Sequence, residues 1–200
     1  MVDILIVIAI ATGAFMATNL DNLVLLVGLL GRYSDRRYEV ILAYLSGALI
    51  VGAVSYYVGK VAGNFPVNYI GLLGIFPVLI GVFELFRLFR NKGVIRDPAV
   101  PGAGSTAIAA TLLTQLGNST DTIVTFSVLF ADSNDLADEL VIMAFAGTAT
   151  VFALVARGAL RYDWLSRPIQ LYGHYITPLI LITVGLYVLS NTALDLLPGT

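Results

Sequence analysis

Two short polar clusters interrupt otherwise apolar runs of this 200-residue chain. The first is Thr18, Asn19, Asp21 and Asn22 in ATNLDNLVLLVGLL, and the second is Gln115, Asn118, Ser119, Thr120, Asp121 and Thr122 in TQLGNSTDTIVTFSVLF. Asp21 and Asp121 stand 100 residues apart, each near the middle of a stretch long enough to cross a bilayer. A carboxylate at that depth costs roughly 3 kcal/mol or more unless it faces a cavity, a partner or an ion. Two carboxylates with amide and hydroxyl oxygens around them suit a divalent cation, whose charge they balance. The candidate ligands are Asp21, Asp121, Asn22, Asn118, Thr18, Asn19 and Thr122. The competing reading is a structural pair, each aspartate protonated or hydrogen-bonded to Asn19, Asn22 or Asn118.

Helical spacing sharpens the pattern. Thr18, Asp21, Asn22 and Leu25 fall at i, i+3, i+4 and i+7 on one face, and Thr111, Thr114, Gln115, Asn118, Asp121, Thr122 and Thr125 form a seam along a second segment. A seam of that length fits a wet path better than helix packing through small polar groups. Asparagine and serine compete for backbone hydrogen bonds, so local unwinding is expected in either segment, with carbonyls freed as further oxygen ligands.

The elements that must position these residues are read from composition. With 58% hydrophobic and 12% charged residues and a mean hydropathy of +0.89, the chain has a membrane composition. Six apolar segments are expected, at about 4–30, 39–59, 68–89, 106–130, 140–159 and 173–194, each near the roughly 20 residues that a spanning helix needs. The first lacks a basic leader region and is expected to be retained. Ten of the eleven Lys and Arg residues fall around the first, third and fifth connections, and only Lys60 falls opposite. The positive-inside rule then places those connections in the cytoplasm and both termini outside.

The expected fold is an all-α integral membrane protein of six transmembrane helices, arranged as two inverted three-helix repeats. The first repeat is 1–90, the linker 91–105 and the second repeat 106–200. Asp21 with Asp121 and Gly47 with Gly147, at the same offset, are its sequence traces. Asp132, Asp135, Asp138 and Glu139 read as a solvated acidic loop. Glu84, three residues before Arg87, reads as an interfacial ion pair; Met16 reads as packing and His174 as an edge residue. Pro77 and Pro178 are expected to kink their helices, and Gly71, Gly74 and Gly81 to mark close packing.

There is no cysteine, which excludes disulfides and thiolate ligands, and a net charge of −2 gives no support for a nucleic-acid partner. The stretches ATNLDNLVLL, AYLSG, LLGIFPVLIG and GNSTDTIVTFSVLF resemble the cadmium-resistance transporter (CadD-like) family, within the lysine-exporter-type carriers. The resemblance covers nearly the whole chain. It implies export of Cd²⁺ or a related divalent cation, and maps the family's acidic positions to Asp21 and Asp121. Some relatives have a cysteine ahead of the second acidic position, where this chain has only oxygen and amide side chains.

The function expected is that of a secondary-active carrier of the cell membrane, proton-coupled, with room for a homodimer. It is expected to need no resident cofactor, and no phosphate-binding loop or catalytic constellation points to an enzyme. A small amine or amino-acid exporter of the same architecture and a cation channel are the alternatives.

Overall fold

The computed structural model describes residues 2–64, 74–91, 106–133, 135–160, 178–179 and 181–189, nearly all of them in helices or short turns. In order these are α1 (Val2–Arg32), a 3-10 turn (Ser34–Arg36), α2 (Arg37–Ala62), α3 (Ile75–Asn91), α4 (Ala107–Gly117), α5 (Thr120–Ala131) and α6 (Asp135–Ala159). A further helical run covers 181–189. The fold of the described residues is all-α, as expected.

Among the described residues, three helices are long and apolar enough to cross a membrane: Ile4–Arg32, Ser34–Ala62 and Asp135–Ala159. They make the chain a multi-pass membrane protein. Six spans in two inverted repeats, with both termini outside, are not what the described residues form. The fourth apolar segment is two helices, 11 and 12 residues long, divided at Asn118 and Ser119. At 1.5 Å per residue neither half alone covers some 30 Å of hydrocarbon. Helix α3 has 17 residues and carries Glu84, Arg87 and Arg90 in its second half. Hydropathy along the chain registers apolar content and is blind to such a break.

The two traces of a repeat also differ in their packing. A Cβ added at Gly47 would lie 2.9 Å from Gln115 Cγ, whereas one added at Gly147 would meet nothing within 4 Å. The helix through Asp21 is continuous, and that through Asp121 is interrupted just before it. The linker lies outside the described residues except for Asn91, as do His174 and Gly71 and the side chains of Glu84 and Arg87. Pro77 sits in the first turn of α3, where its missing N–H removes no helical bond and no kink is required.

Helix α1 packs along α6, and α2 lies along both halves of the interrupted helix. Glycine makes the second contact close: a Cβ at Gly59 would stand 2.6 Å from both Phe130 Cβ and Ser127 O. Gly74 and Gly81 are close-packing positions, as their spacing implied. A Cβ at Gly74 would lie 2.7 Å from Gly185 O, and one at Gly81 would lie 2.7 Å from Pro178 O. Between α1, α5 and α6 the core is aromatic. Phe145 meets Phe15 and Phe126 edge to face, each with ring centroids 4.8 Å apart, and Phe152 meets Phe15 at 5.4 Å.

One end of this bundle is closed by charge. Lys60, at the end of α2, pairs with Asp138 in the first turn of α6; Ser133 Oγ donates to the same carboxylate. Asp138 is 4% exposed, so it is not part of a solvated loop, unlike Asp135 and Glu139, which are exposed.

Two outcomes are expected in thermal unfolding of the purified protein. Gly59→Ala should destabilise by about 1–3 kcal/mol through overpacking, while Gly147→Ala leaves the midpoint unchanged or raises it. Lys60→Met should cost about 3 kcal/mol by stranding buried Asp138, and the Lys60→Met/Asp138→Leu double variant should recover most of that loss. Equal losses in the single and double variants would show that the pair is not what holds this end together.

Candidate functional site

The interruption between α4 and α5 follows from its sequence. Gly117, Asn118 and Ser119 have low helix propensity, and both Asn118 (φ −106°, ψ 12°) and Ser119 (φ −105°, ψ 12°) leave helical geometry. Ser119 Oγ donates to Gln115 O, which helps satisfy the end of α4. The expected unwinding occurs in this segment and not in α1, which runs unbroken through Thr18 to Asn22.

Facing the break, α1 presents Thr18, Asn19 and Asn22, all at most 2% exposed. Asn118 Nδ2 donates to Asn22 Oδ1 (3.2 Å), and Asn22 Nδ2 donates to Asn19 Oδ1 (2.9 Å). Asn19 Nδ2 then donates across to Thr122 Oγ1 (3.2 Å), which in turn donates to the Thr18 carbonyl (3.4 Å). Asn19 Nδ2 also lies 3.2 Å from Phe15 O, and Thr18 Oγ1 donates to Ala14 O (3.0 Å). Five of the seven expected ligands thus form one polar network between α1 and the ends of α4 and α5. Such chains of amides strengthen one another in a low-dielectric interior, where an unpaired amide would be costly.

The two aspartates stand differently. Asp121 is half-buried in the first turn of α5, where the helix end favours negative charge, and its Oδ1 accepts from Thr122 N (2.9 Å). Asp21 is exposed, although its neighbour Asn22 is buried in the network. The described residues hold no cluster of three or more His, Cys, Asp or Glu side chains that could enclose a metal ion. Chemically the arrangement offers neutral oxygens with spare lone pairs and a carboxylate at the edge. That suits weak, reversible binding of a hard cation better than a dedicated cage. Met16 is exposed and contributes no sulfur to the network.

Of the seven seam residues, Thr111, Thr114, Gln115, Thr122 and Thr125 are buried and Asn118 and Asp121 half-buried, although the helix carrying them is broken. Sequence reasoning missed Tyr44, 1% exposed in α2 beside the network, and the Lys60–Asp138 pair. A signal was present for both: a tyrosine in an apolar helix needs somewhere to place its hydroxyl, and Lys60 was the lone cation on its side.

Comparison with known proteins gives one finding. The family model described as "Cadmium resistance transporter" matches residues 15–197, which include α1 from Phe15 onward and every residue of the polar network. Nothing among curated proteins and nothing among solved structures matches the chain.

The network itself is open to a direct check. Asn22→Leu keeps the branched shape of the side chain but removes the acceptor of Asn118 Nδ2 and the donor to Asn19 Oδ1, so it should destabilise by about 1–3 kcal/mol. In a double-mutant cycle with Asn118→Leu, a coupling of about 0.5–3 kcal/mol is expected, and additive losses would show that the two amides do not interact. The exposed Met16→Leu control should stay within about 0.5 kcal/mol of the wild type.

Proposed function

The chain belongs to the cadmium resistance transporter family, which supports a metal-transport role, and on that premise we propose that it is a secondary-active carrier exporting a divalent cation across the cell membrane. The observation that carries this reading is the interrupted apolar helix, its ends hydrogen-bonded to α1 through Asn118, Asn22, Asn19 and Thr122. Irregular backbone at membrane depth is tolerated where it lines a site, and discontinuous helices are a recurrent way to build one. A transporter family is also consistent with a non-catalytic carrier.

In the proposed cycle Asp121 supplies charge at the start of α5, and Asp21 supplies the second carboxylate from α1. Thr18, Asn19, Asn22, Asn118 and Thr122 contribute neutral oxygens. Cation entry exchanges hydrogen bonds within the network for metal–oxygen contacts, so the empty protein is not left with orphaned amides. Release on the far side restores the network. Export works against a membrane potential that draws a divalent ion inward with about 4.6 kcal/mol at 100 mV. Protons are the proposed counter-ion, taken up by the carboxylates as the metal leaves. A homodimer is compatible with this cycle and is not required by it.

The site contains oxygen and no sulfur, because the chain has no cysteine. It therefore discriminates between Cd²⁺ and harder ions less steeply than a thiolate site.

The test is reconstitution in liposomes with a metal indicator inside, under pH gradients of either sign, using Cd²⁺, Zn²⁺, Mn²⁺, Ca²⁺, Mg²⁺ and a small diamine. Divalent ions should move, and Asp21→Asn and Asp121→Asn should each nearly abolish the flux. Reversing the pH gradient should reverse it. Metal flux that survives both substitutions would make the aspartates structural, and diamine flux without metal flux would overturn the metal reading.

A further inference from the structure

Two hydroxyls next to the amide network take no part in it. Tyr44 Oη, on α2, and Thr114 Oγ1, on α4, are buried at 1% and 9% exposure, and neither has a hydrogen-bond partner among the described residues. The residues that carry them line a cavity of about 10 Å³ between α1, α2 and α4, which Asn22, Thr111 and Gln115 also line. We infer that this cavity is a binding site for one ordered water, which Tyr44 and Thr114 hold and which extends the hydrogen bonding of Asn22 from α1 to α2.

Size and chemistry select the occupant. A space of about 10–15 Å³ admits a single water, and a buried water needs two to four polar partners. Here a water accepts from the Tyr44 and Thr114 hydroxyls. Its own two protons have acceptors on the same walls: Asn22 Oδ1, which has a second lone pair beside the bond from Asn118, and the Gln115 side chain. A dry cavity would leave both hydroxyls orphaned in a low-dielectric region, which is the costly state for a buried polar group. A bare monovalent cation would meet only neutral oxygens from the lining, would bring an uncompensated charge into the interior and would still leave the hydroxyl protons unpaired. Leu25, Leu26 and Leu29 supply the apolar part of the lining.

The consequence is that Tyr44 is a positioning residue. By holding the water against Asn22 it fixes the amide that joins Asn118 to Asn19, and so links α2 to the network without touching it. The inference rests on the cavity and its lining, and holds whichever ion crosses the protein.

Thermal unfolding of the purified protein in lipid nanodiscs tests it, because the alternatives differ in sign. A water bridge predicts that Tyr44→Phe and Thr114→Val each lower the midpoint by about 2–4 °C. The double variant should fall no further than the worse single, since one water is lost once. Thr114→Ser, which keeps the hydroxyl, should stay near the wild type. A raised midpoint in Tyr44→Phe or Thr114→Val would mean that the hydroxyls are simply unsatisfied, and strictly additive losses would mean that they share nothing. Either result overturns the proposal, as would stabilisation of the wild type by Na⁺ or Li⁺ that Tyr44→Phe abolishes, which would mark a cation site. If Tyr44→Phe does not fold, the contrast of Thr114→Val with Thr114→Ser carries the same signs. An experimental map that resolves ordered solvent should show a peak within about 3 Å of both hydroxyls.

Discussion

Hydrocarbon offers no hydrogen bonds, so every amide placed at membrane depth must find its partner inside the protein. That constraint organises this molecule. Breaking a helix at Asn118 and Ser119 frees backbone and side-chain amides, and α1 answers with Asn22, Asn19 and Thr18 at the facing positions. The rest of the described structure keeps those two elements in register. Edge-to-face rings of Phe15, Phe126, Phe145 and Phe152 wall one side, and glycines on α2 let it approach both halves of the broken helix.

On the proposed reading, the same constraint suits the network to exchange chemistry. A site lined by amides that bond one another when empty loses less on ion release than a cage of bare carboxylates, whose mutual repulsion would have to be met by protons or water. Asp121 at the start of α5 benefits from the helix end, whereas Asp21 stands exposed on a continuous helix. Two aspartates at a regular offset in sequence therefore occupy unlike physical settings.

Charge is used sparingly elsewhere. Lys60 and Asp138 join the end of α2 to the start of α6, with Ser133 on the same carboxylate, and Lys60 Nζ also reaches Ser133 O at 3.4 Å. A buried pair of this kind adds little net stability but makes the loss of either partner expensive, and so specifies which helix ends meet. The glycine contacts at Gly74, Gly81 and Gly185 do the corresponding work for α3 by shape alone.

The amino-acid sequence by itself determined the membrane setting, the all-helical class, the family resemblance and the polar residues worth watching, because apolar content and residue type are local properties. Spacing alone put Thr111 to Thr125 in one polar seam, and residue propensity pointed to local unwinding in either of the two polar segments. Only the tertiary structure decided that this unwinding divides one expected span into two short helices while α1 stays whole. It also decided that a Cβ at Gly47 would crowd Gln115 while one at Gly147 would meet nothing within 4 Å, so one of the sequence traces of a repeat has no counterpart in packing. Asp138, expected in a solvated loop, is buried because Lys60, 78 positions earlier, ends its helix beside it. These outcomes depend on which helices meet, and that is set by packing between residues far apart in the chain, which hydropathy and periodicity do not encode.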